Sequence, residues 1–480
     1  MSKSKYPNDQ NVSGFEFLSL KFVSNFDTPV RGVRIRIRYS NFPSSPARSG
    51  LFTLFGSLLL LTTLAGCKAR QLPTPTPQMD TEPQFQVRVL LLDNITTCTF
   101  LTTSPCTVTD GDSAIKNLKF QISNLESGVN IQLTAGRITI ANLLFASNQI
   151  TILPDDPYIF NLNGTIYRGK LKLIVNSDSN SFDAVNIVPM EPYLAGVVGA
   201  EMPRYWEPEA LKAQAIAART YCLYTKKRFG GNRAWDVRKT QAHQVYLGVI
   251  AESAQVWDAV NQTQGQVLVC KQTDGTEDVF PAYYSSTCGG HTENSSNVFG
   301  DSFEPLVGVP CPYCKDVAKP TFFFWPVVLF DNTNITAKLL QRYPGLTQLG
   351  EIIDITSAKQ SDYENFSRLT EVKLLGSTGK SDFLKAEDLR LTIDPTGSKI
   401  KSTICRIIKS DDKWAFLSGR GYGHGVGMCQ CGAQGMAREG KTAEQILFYY
   451  YPGSKIVKIY SVQARLVKAK NFAGARSGRD

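Results

Sequence analysis

Hydrophobic positions along the chain first alternate and then recur at helical spacing. From Gln86 to Val188 the runs VRVLLLD, LKFQIS, IQLTA, RITIANLLF and KLKLIVN, separated by Asn, Asp, Ser and Gly, predict short strands. At Met190 the period changes. In EPYLAGVVGAEM, Leu194, Val197 and Val198 share a helical face, Pro192 suits a first turn and Pro203 enforces a stop. A longer helix is expected from Glu207 to Arg228, with Pro208 near its start, Leu211, Ala215, Ala218 and Cys222 on one face and Gly230-Gly231 at its end. Lys212 and Arg219 share another face. Strands are expected again over 243–290, and 315–418 reads as a further strand-rich portion with one amphipathic helix near Ala337–Arg342. The last element is a glycine-rich loop, GRGYGHGVGMCQCG, running into a helix over AEQILFYYY that Pro452-Gly453 closes. The expected fold class is therefore α+β, strand-rich, with two short helical motif regions flanking a substrate cleft.

The one long apolar run is LFTLFGSLLLLTTLAG, Leu51–Gly66, preceded by Arg48. It is short for a bilayer span and has the length of a signal-peptide core. Leu64-Ala65-Gly66-Cys67 resembles the close of a bacterial lipoprotein signal. On that reading Cys67 is acylated, residues 67–85 are a Pro/Thr-rich tether, and residues 1–50 are an N-terminal extension without assignment. The competing reading is an uncleaved anchor helix. Both put the remaining chain outside the cytoplasm and at a membrane.

Composition narrows the class further. With 42% hydrophobic and 20% charged residues in 480, the chain is neither disordered nor fibrous, and a single apolar run excludes a multi-pass membrane protein. The 52 basic against 42 acidic residues leave +10, which favours a polyanionic partner or an anionic surface. GYGHGVGM lacks the spacing of a dinucleotide fingerprint; its glycines let backbone approach a ligand or a neighbouring strand closely.

Only three histidines and eleven cysteines occur, so their spacing carries information. Cys288-x-x-His291 precedes Cys311-x-x-Cys314 by nineteen residues, a pattern that fits a closed, structural tetrahedral Zn²⁺ site. The alternatives are a disulfide through Cys311 or Cys314, or His243 in place of one ligand. Cys98 and Cys106 bracket a short loop and could pair, whereas Cys222, Cys270 and Cys405 read as small core groups.

Three long segments, YLAGVVGAEMPRYWEPEALKAQAIAARTYCL, FPAYYSSTCGGHTE and GRGYGHGVGMCQCGAQGMAREGKTAEQILFYYYPG, together resemble the stage II sporulation protein D (SpoIID) family, which includes the amidase-enhancer LytB proteins. The resemblance covers about residues 180–460, and the catalytic region is read as 189–465, after a strand-rich part over 86–188. It implies peptidoglycan glycan strands as partner, no nucleic acid, and lytic transglycosylase activity on strands stripped of their stem peptides. It also implies a catalytic role for Glu201, in the GAEMP segment. A carboxyl group in the last turn of a short helix meets the negative end of the dipole, and partial burial beside Met202 and Trp206 adds desolvation; both favour the protonated form that a general acid needs.

The remaining assignments follow from that resemblance. Lys212 and Arg219 would hold the lactyl carboxylate of peptide-free muramic acid. His424 and Gln430 would donate to sugar hydroxyl or N-acetyl groups. Relatives carry GMSQYG where this chain has Cys429 and Cys431, so a tyrosine that could stack on sugar is missing. The alternative is a non-catalytic peptidoglycan-binding enhancer with a cell-wall N-acetylmuramoyl-L-alanine amidase as partner.

Overall fold

The computed structural model describes residues 85–111, 113–114 and 128–460. The N-terminal extension, the signal-like run, Cys67, almost all of the tether, the LKFQIS run and residues 461–465 lie outside the described residues.

Alternation of buried and half-buried positions builds two sheets before any long helix appears. In the larger, Gln86–Ile95 pairs antiparallel with Phe182–Pro189, which pairs with Lys170–Val175, and the ladder continues through Gln149–Pro154 and Cys106–Asp110. Val237–Arg238 closes the other edge, parallel to Gln86–Ile95. A second antiparallel sheet runs through Thr165–Arg168, Ile159–Leu162, Thr97–Leu101, Val129–Thr134, Arg137–Ile140 and Leu143–Leu144. Val87, Val89 and Leu171 of the first sheet and Phe100, Ile131 and Phe160 of the second belong to one hydrophobic core. Cys98 and Cys106, which could have paired, are buried in different sheets and are free.

Strand Phe182–Pro189 is interior and passes directly into helix α1, Met190–Glu201. Pro203 stops α1, and Pro208 begins helix α2, Pro208–Phe229. Leu211, Ala215, Ala218 and Cys222 are buried as expected, but so are Gln214, Arg219 and Thr220. Helix α2 is thus packed on nearly all sides, against α1, strand Gln266–Lys271 and the later helices.

Three expectations need correction here. The 243–290 stretch contains helix α3, Ala254–Gln262, capped by the Ser253 hydroxyl, which accepts from the Val256 N–H. Residues 320–420 form a lobe with its own core, including Trp325, Leu339, Leu374 and Trp414, and this lobe has a second helix, Ala386–Ile393, besides Asn332–Arg342. The chain enters and leaves the lobe side by side, because Phe324–Trp325 pairs with Gly419–Arg420. Finally, QCGAQGMAR is itself a helix, Gln430–Arg438, ahead of the expected one at Ala443–Tyr450.

Candidate functional site

The site begins with how closely α1 is seated. A Cβ on Gly199 would lie 1.9 Å from the carbonyl oxygen of Ala251, and one on Gly196 would lie 2.5 Å from the Tyr246 ring. Glycine at both positions lets α1 lie directly on the turn Gly248–Ala251. Gly199→Ala should therefore push α1 off this turn, lowering stability by about 1–3 kcal/mol in chemical denaturation and displacing Glu201, two residues on.

Glu201 is the last residue of α1, and there the helix emerges: residues 190–198 are buried, while Gly199, Ala200 and Glu201 are half-buried. Its Oε1 accepts from the Val245 N–H at 2.8 Å, and its Oε2 faces the Gln430 amide at 3.4 Å. The same amide nitrogen lies 3.4 Å from Oε1 of the buried Gln214. Arg204 is spent on the carbonyls of Ile250 and Glu252, so it does not ion-pair with Glu201. Burial pushes the Glu201 carboxyl up to about 7, against the opposing hydrogen bonds from Val245 and Gln430. A half-buried carboxyl with no cation paired to it among the described residues holds its proton near neutrality and still reaches the surface.

Several side chains around Glu201 were not among the expected site residues. Tyr284 hydroxyl accepts from the Gln244 amide at 2.9 Å, and Gln244 in turn accepts from Tyr193 at 2.9 Å. Tyr205 is 84% exposed, four residues past Glu201. An exposed tyrosine after a helix stop was a signal available in the sequence; the Gln214–Gln430 contact, between residues 216 positions apart, was not.

Arg219, expected to bind a substrate carboxylate, is fully buried. Its Nη2 lies 2.6 Å from Glu191 Oε2 and its Nη1 donates to the Gln266 carbonyl. A guanidinium on the inner side of a helix packed all round has no access to a glycan. Lys212 donates to Glu209 at 2.8 Å, and Glu209 also accepts the Ala443 N–H, so Lys212 serves the junction with the Ala443–Tyr450 helix.

His424, expected to donate to sugar, uses both ring nitrogens on backbone. Nδ1 accepts the Val426 N–H and Nε2 lies 3.0 Å from the Tyr284 carbonyl, which fixes the Nε2–H tautomer. Burial pulls its pKa down to about 4, and Phe299 packs edge-on against the ring at 5.1 Å. Gln430 alone of the four expected binders touches Glu201. Cys431, at the relatives' tyrosine position, is buried and accepts from the Thr287 hydroxyl, so that position faces inward here.

The glycine-rich loop approaches protein backbone. Gly421, Gly423, Gly425 and Gly427 all have φ between 69° and 105°. A Cβ on Gly427 would sit 2.0 Å from the Tyr283 carbonyl oxygen. Bridges join Thr287 to Tyr422 and Glu293 to Val426, and Tyr284–Ser285 pairs with Met428–Cys429.

That pairing changes the expected metal site. His291 is stacked on Tyr363, with ring centroids 4.1 Å apart, and its Nδ1 contacts the Thr292 carbonyl. Cys288, Cys311, Cys314 and Cys429 instead bring four sulfurs within 4.8 Å of one another, all buried. His243 lies elsewhere, accepting from the Arg238 N–H and edge-on to Trp235. Zn–S bonds of about 2.3 Å in a tetrahedron separate sulfurs by about 3.8 Å, and Cys288 and Cys314 sulfurs are 3.8 Å apart. The donor set therefore fits zinc, with Cys429 in place of His291.

Residues 178–270 match the family model described as SpoIID, stage II sporulation protein. The chain is 35% identical over 300 residues to an uncharacterized protein of Brachyspira hyodysenteriae, covering 62% of this chain and 74% of that one. It is 31% identical to stage II sporulation protein D of Bacillus subtilis, over 57% of this chain and 76% of that protein. To the amidase enhancer of the same Bacillus it is 28% identical, over 68% of this chain and 49% of that protein.

Proposed function

Since the chain belongs to the stage II sporulation protein D (SpoIID) family, we propose that it is a cell-wall lytic transglycosylase, cleaving peptidoglycan between muramic acid and glucosamine with Glu201 as its single acid and base. The observation that carries this reading is a half-buried carboxyl at the end of α1 that has no salt-bridge partner among the described residues, so that burial raises it to about 7.

The chemistry needs one such group. Protonated Glu201 gives its proton to the glycosidic oxygen, and the glucosamine leaves with a free hydroxyl as positive charge develops at the muramic anomeric carbon. The C6 hydroxyl of the same muramic acid then bonds to that carbon and returns its proton to Glu201. The product is a 1,6-anhydro end, no water is consumed, and the carboxyl is regenerated in its acid form. Ordinary glycosidases use a second carboxylate to activate water or attack carbon; here the nucleophile belongs to the substrate. Tyr205 offers an exposed ring against which a sugar face can pack. We also propose that the protein works outside the cytoplasm, held to a membrane through Cys67.

The test is incubation of the full chain with peptide-stripped glycan and mass spectrometry of the products. Anhydro-muramic ends support the reading. Glycan binding without cleavage supports the second one, a non-catalytic stimulator of an amidase, which the similarity to the amidase enhancer favours.

A pH series sharpens the assignment. Because the acid form initiates the reaction, kcat/KM should fall about tenfold per pH unit above a midpoint near 7. The Gln430 amide favours the carboxylate, so Gln430→Ala should move that midpoint upward. A midpoint that stays in place in the variant would remove Gln430 from the site.

A further inference from the structure

We propose that Cys288, Cys311, Cys314 and Cys429 form a closed four-thiolate Zn²⁺ site, and that this site acts as a positioning device which holds Gln430 against Glu201. Four buried sulfurs within 4.8 Å, with no carboxylate or imidazole among them, suit a borderline-soft divalent ion and leave no open position for water. Two of the donors come from one turn, Cys311 and Cys314; Cys429 ends the strand Met428–Cys429, and Cys288 lies three residues beyond that strand's partner, Tyr284–Ser285.

The surroundings are prepared for a negatively charged cage. Cys429 sulfur accepts the N–H groups of Cys288 at 3.2 Å and Gly432 at 3.4 Å. Four thiolates on a dication leave a net charge of about −2, and two arginines lie against the peptide at Cys288. Arg420 Nε donates to the Gly289 carbonyl, and Arg368 Nη2 donates to the Cys288 carbonyl at 2.8 Å. Arg368 is 1% exposed, with Nε and Nη1 lacking hydrogen-bond partners among the described residues and the Glu293 carboxylate 3.8 Å from Nε. A buried cation of that kind is offset by a neighbouring anionic cluster.

The link to catalysis is covalent. Cys429 is the N-cap of the helix whose first residue is Gln430, and Gln430 is the side chain that faces Glu201 Oε2. Metal bonding at Cys429 therefore fixes the start of that helix, while Gln434 one turn on accepts the Glu207 N–H just before α2. This positioning role rests on the assignment of Glu201 above; the metal assignment does not.

Elemental analysis of the full chain, purified without a metal-affinity step, should give one zinc per molecule. Cobalt exchange should give the intense thiolate charge-transfer bands of an S₄ site. Cys429→Ser should lose the metal and His291→Ala should keep it. If Cys429→Ser does not fold, the cobalt spectrum of the unaltered chain still reports the number of thiolates. Substoichiometric zinc together with disulfides among these four cysteines, or zinc lost in His291→Ala, overturns the site. For positioning, the Glu201 carboxyl titration followed by isotope-edited infrared spectroscopy should move upward on chelation and return on zinc addition. Unmoved titration in a chain that has lost its zinc overturns the positioning role whatever the activity.

Discussion

Glu201→Gln should lower the rate of anhydro-end formation by about 10³-fold, inside the roughly 10²–10⁴ that a positioned proton donor contributes, while making the protein more stable in mild alkali. The two effects have one cause. Burial lifts the carboxyl from 4.5 to about 7 in the folded state, so the folded protein holds this proton more tightly than the unfolded chain. Stability from that proton is fully present below pH 4.5 and is lost as pH rises through about 7. The total loss once pH exceeds about 7 is on the order of 3 kcal/mol, at about 1.4 kcal/mol for each pH unit between 4.5 and about 7. Glutamine carries no charge to desolvate and can still accept the Val245 N–H through its amide oxygen. Melting curves should therefore place the variant above the parent at about pH 8.5 and level with it at about pH 4. A variant that is inactive and also less stable at alkaline pH would instead make Glu201 a structural carboxylate.

Helix α1, which carries the acid, and helix α2 after it were legible because prolines punctuate them. Pro192, Pro203 and Pro208 set bounds that the structure keeps within a residue or two. The helix bearing Gln430 was hidden by glycines, which cost a helix about 1 kcal/mol each. Packing requires them. A Cβ on Gly432 would lie 1.9 Å from the Tyr450 hydroxyl and 2.6 Å from the Cys311 sulfur, and one on Gly435 would lie 2.5 Å from the Tyr313 carbonyl. Helix α3, in a stretch expected to be strands, also carried helical signals in the Ser253 cap and the spacing of Val256, Trp257 and Val260.

Spacing found three of the four clustered cysteines and misplaced the fourth. Cys429 reaches Cys288 only through the pairing of Tyr284–Ser285 with Met428–Cys429, a non-local contact. His291 was drawn away by Tyr363, which arrives on a hairpin of the inserted lobe. The face shared by Lys212 and Arg219 misled for a different reason. Helical periodicity reports which residues lie together, and it reports depth only where one side of the helix meets water. Helix α2 has no such side at Arg219.

That burial makes Arg219 the clearest case of a residue whose sequence role and structural role can be separated by experiment. Arg219→Met should destabilise the fold by about 3–5 kcal/mol, the range for removing one partner of a buried ion pair. Glu191, 9% exposed, would lose both guanidinium contacts, at 2.6 Å and 3.2 Å, and keep only the Gly265 N–H and the Tyr460 hydroxyl. Adding Glu191→Leu removes the stranded charge, so the double variant should lie between Arg219→Met and the parent in chemical denaturation. It should not regain everything, because the Gly265 N–H, the Tyr460 hydroxyl and the Gln266 carbonyl each lose a hydrogen bond, at about 1 kcal/mol for each. Kinetics on peptide-stripped glycan then decide the function. With the cation sealed under α2, the folded double variant should keep the KM of the parent. A severalfold rise in KM, with kcat unchanged, would return Arg219 to the glycan-binding surface and contradict its burial.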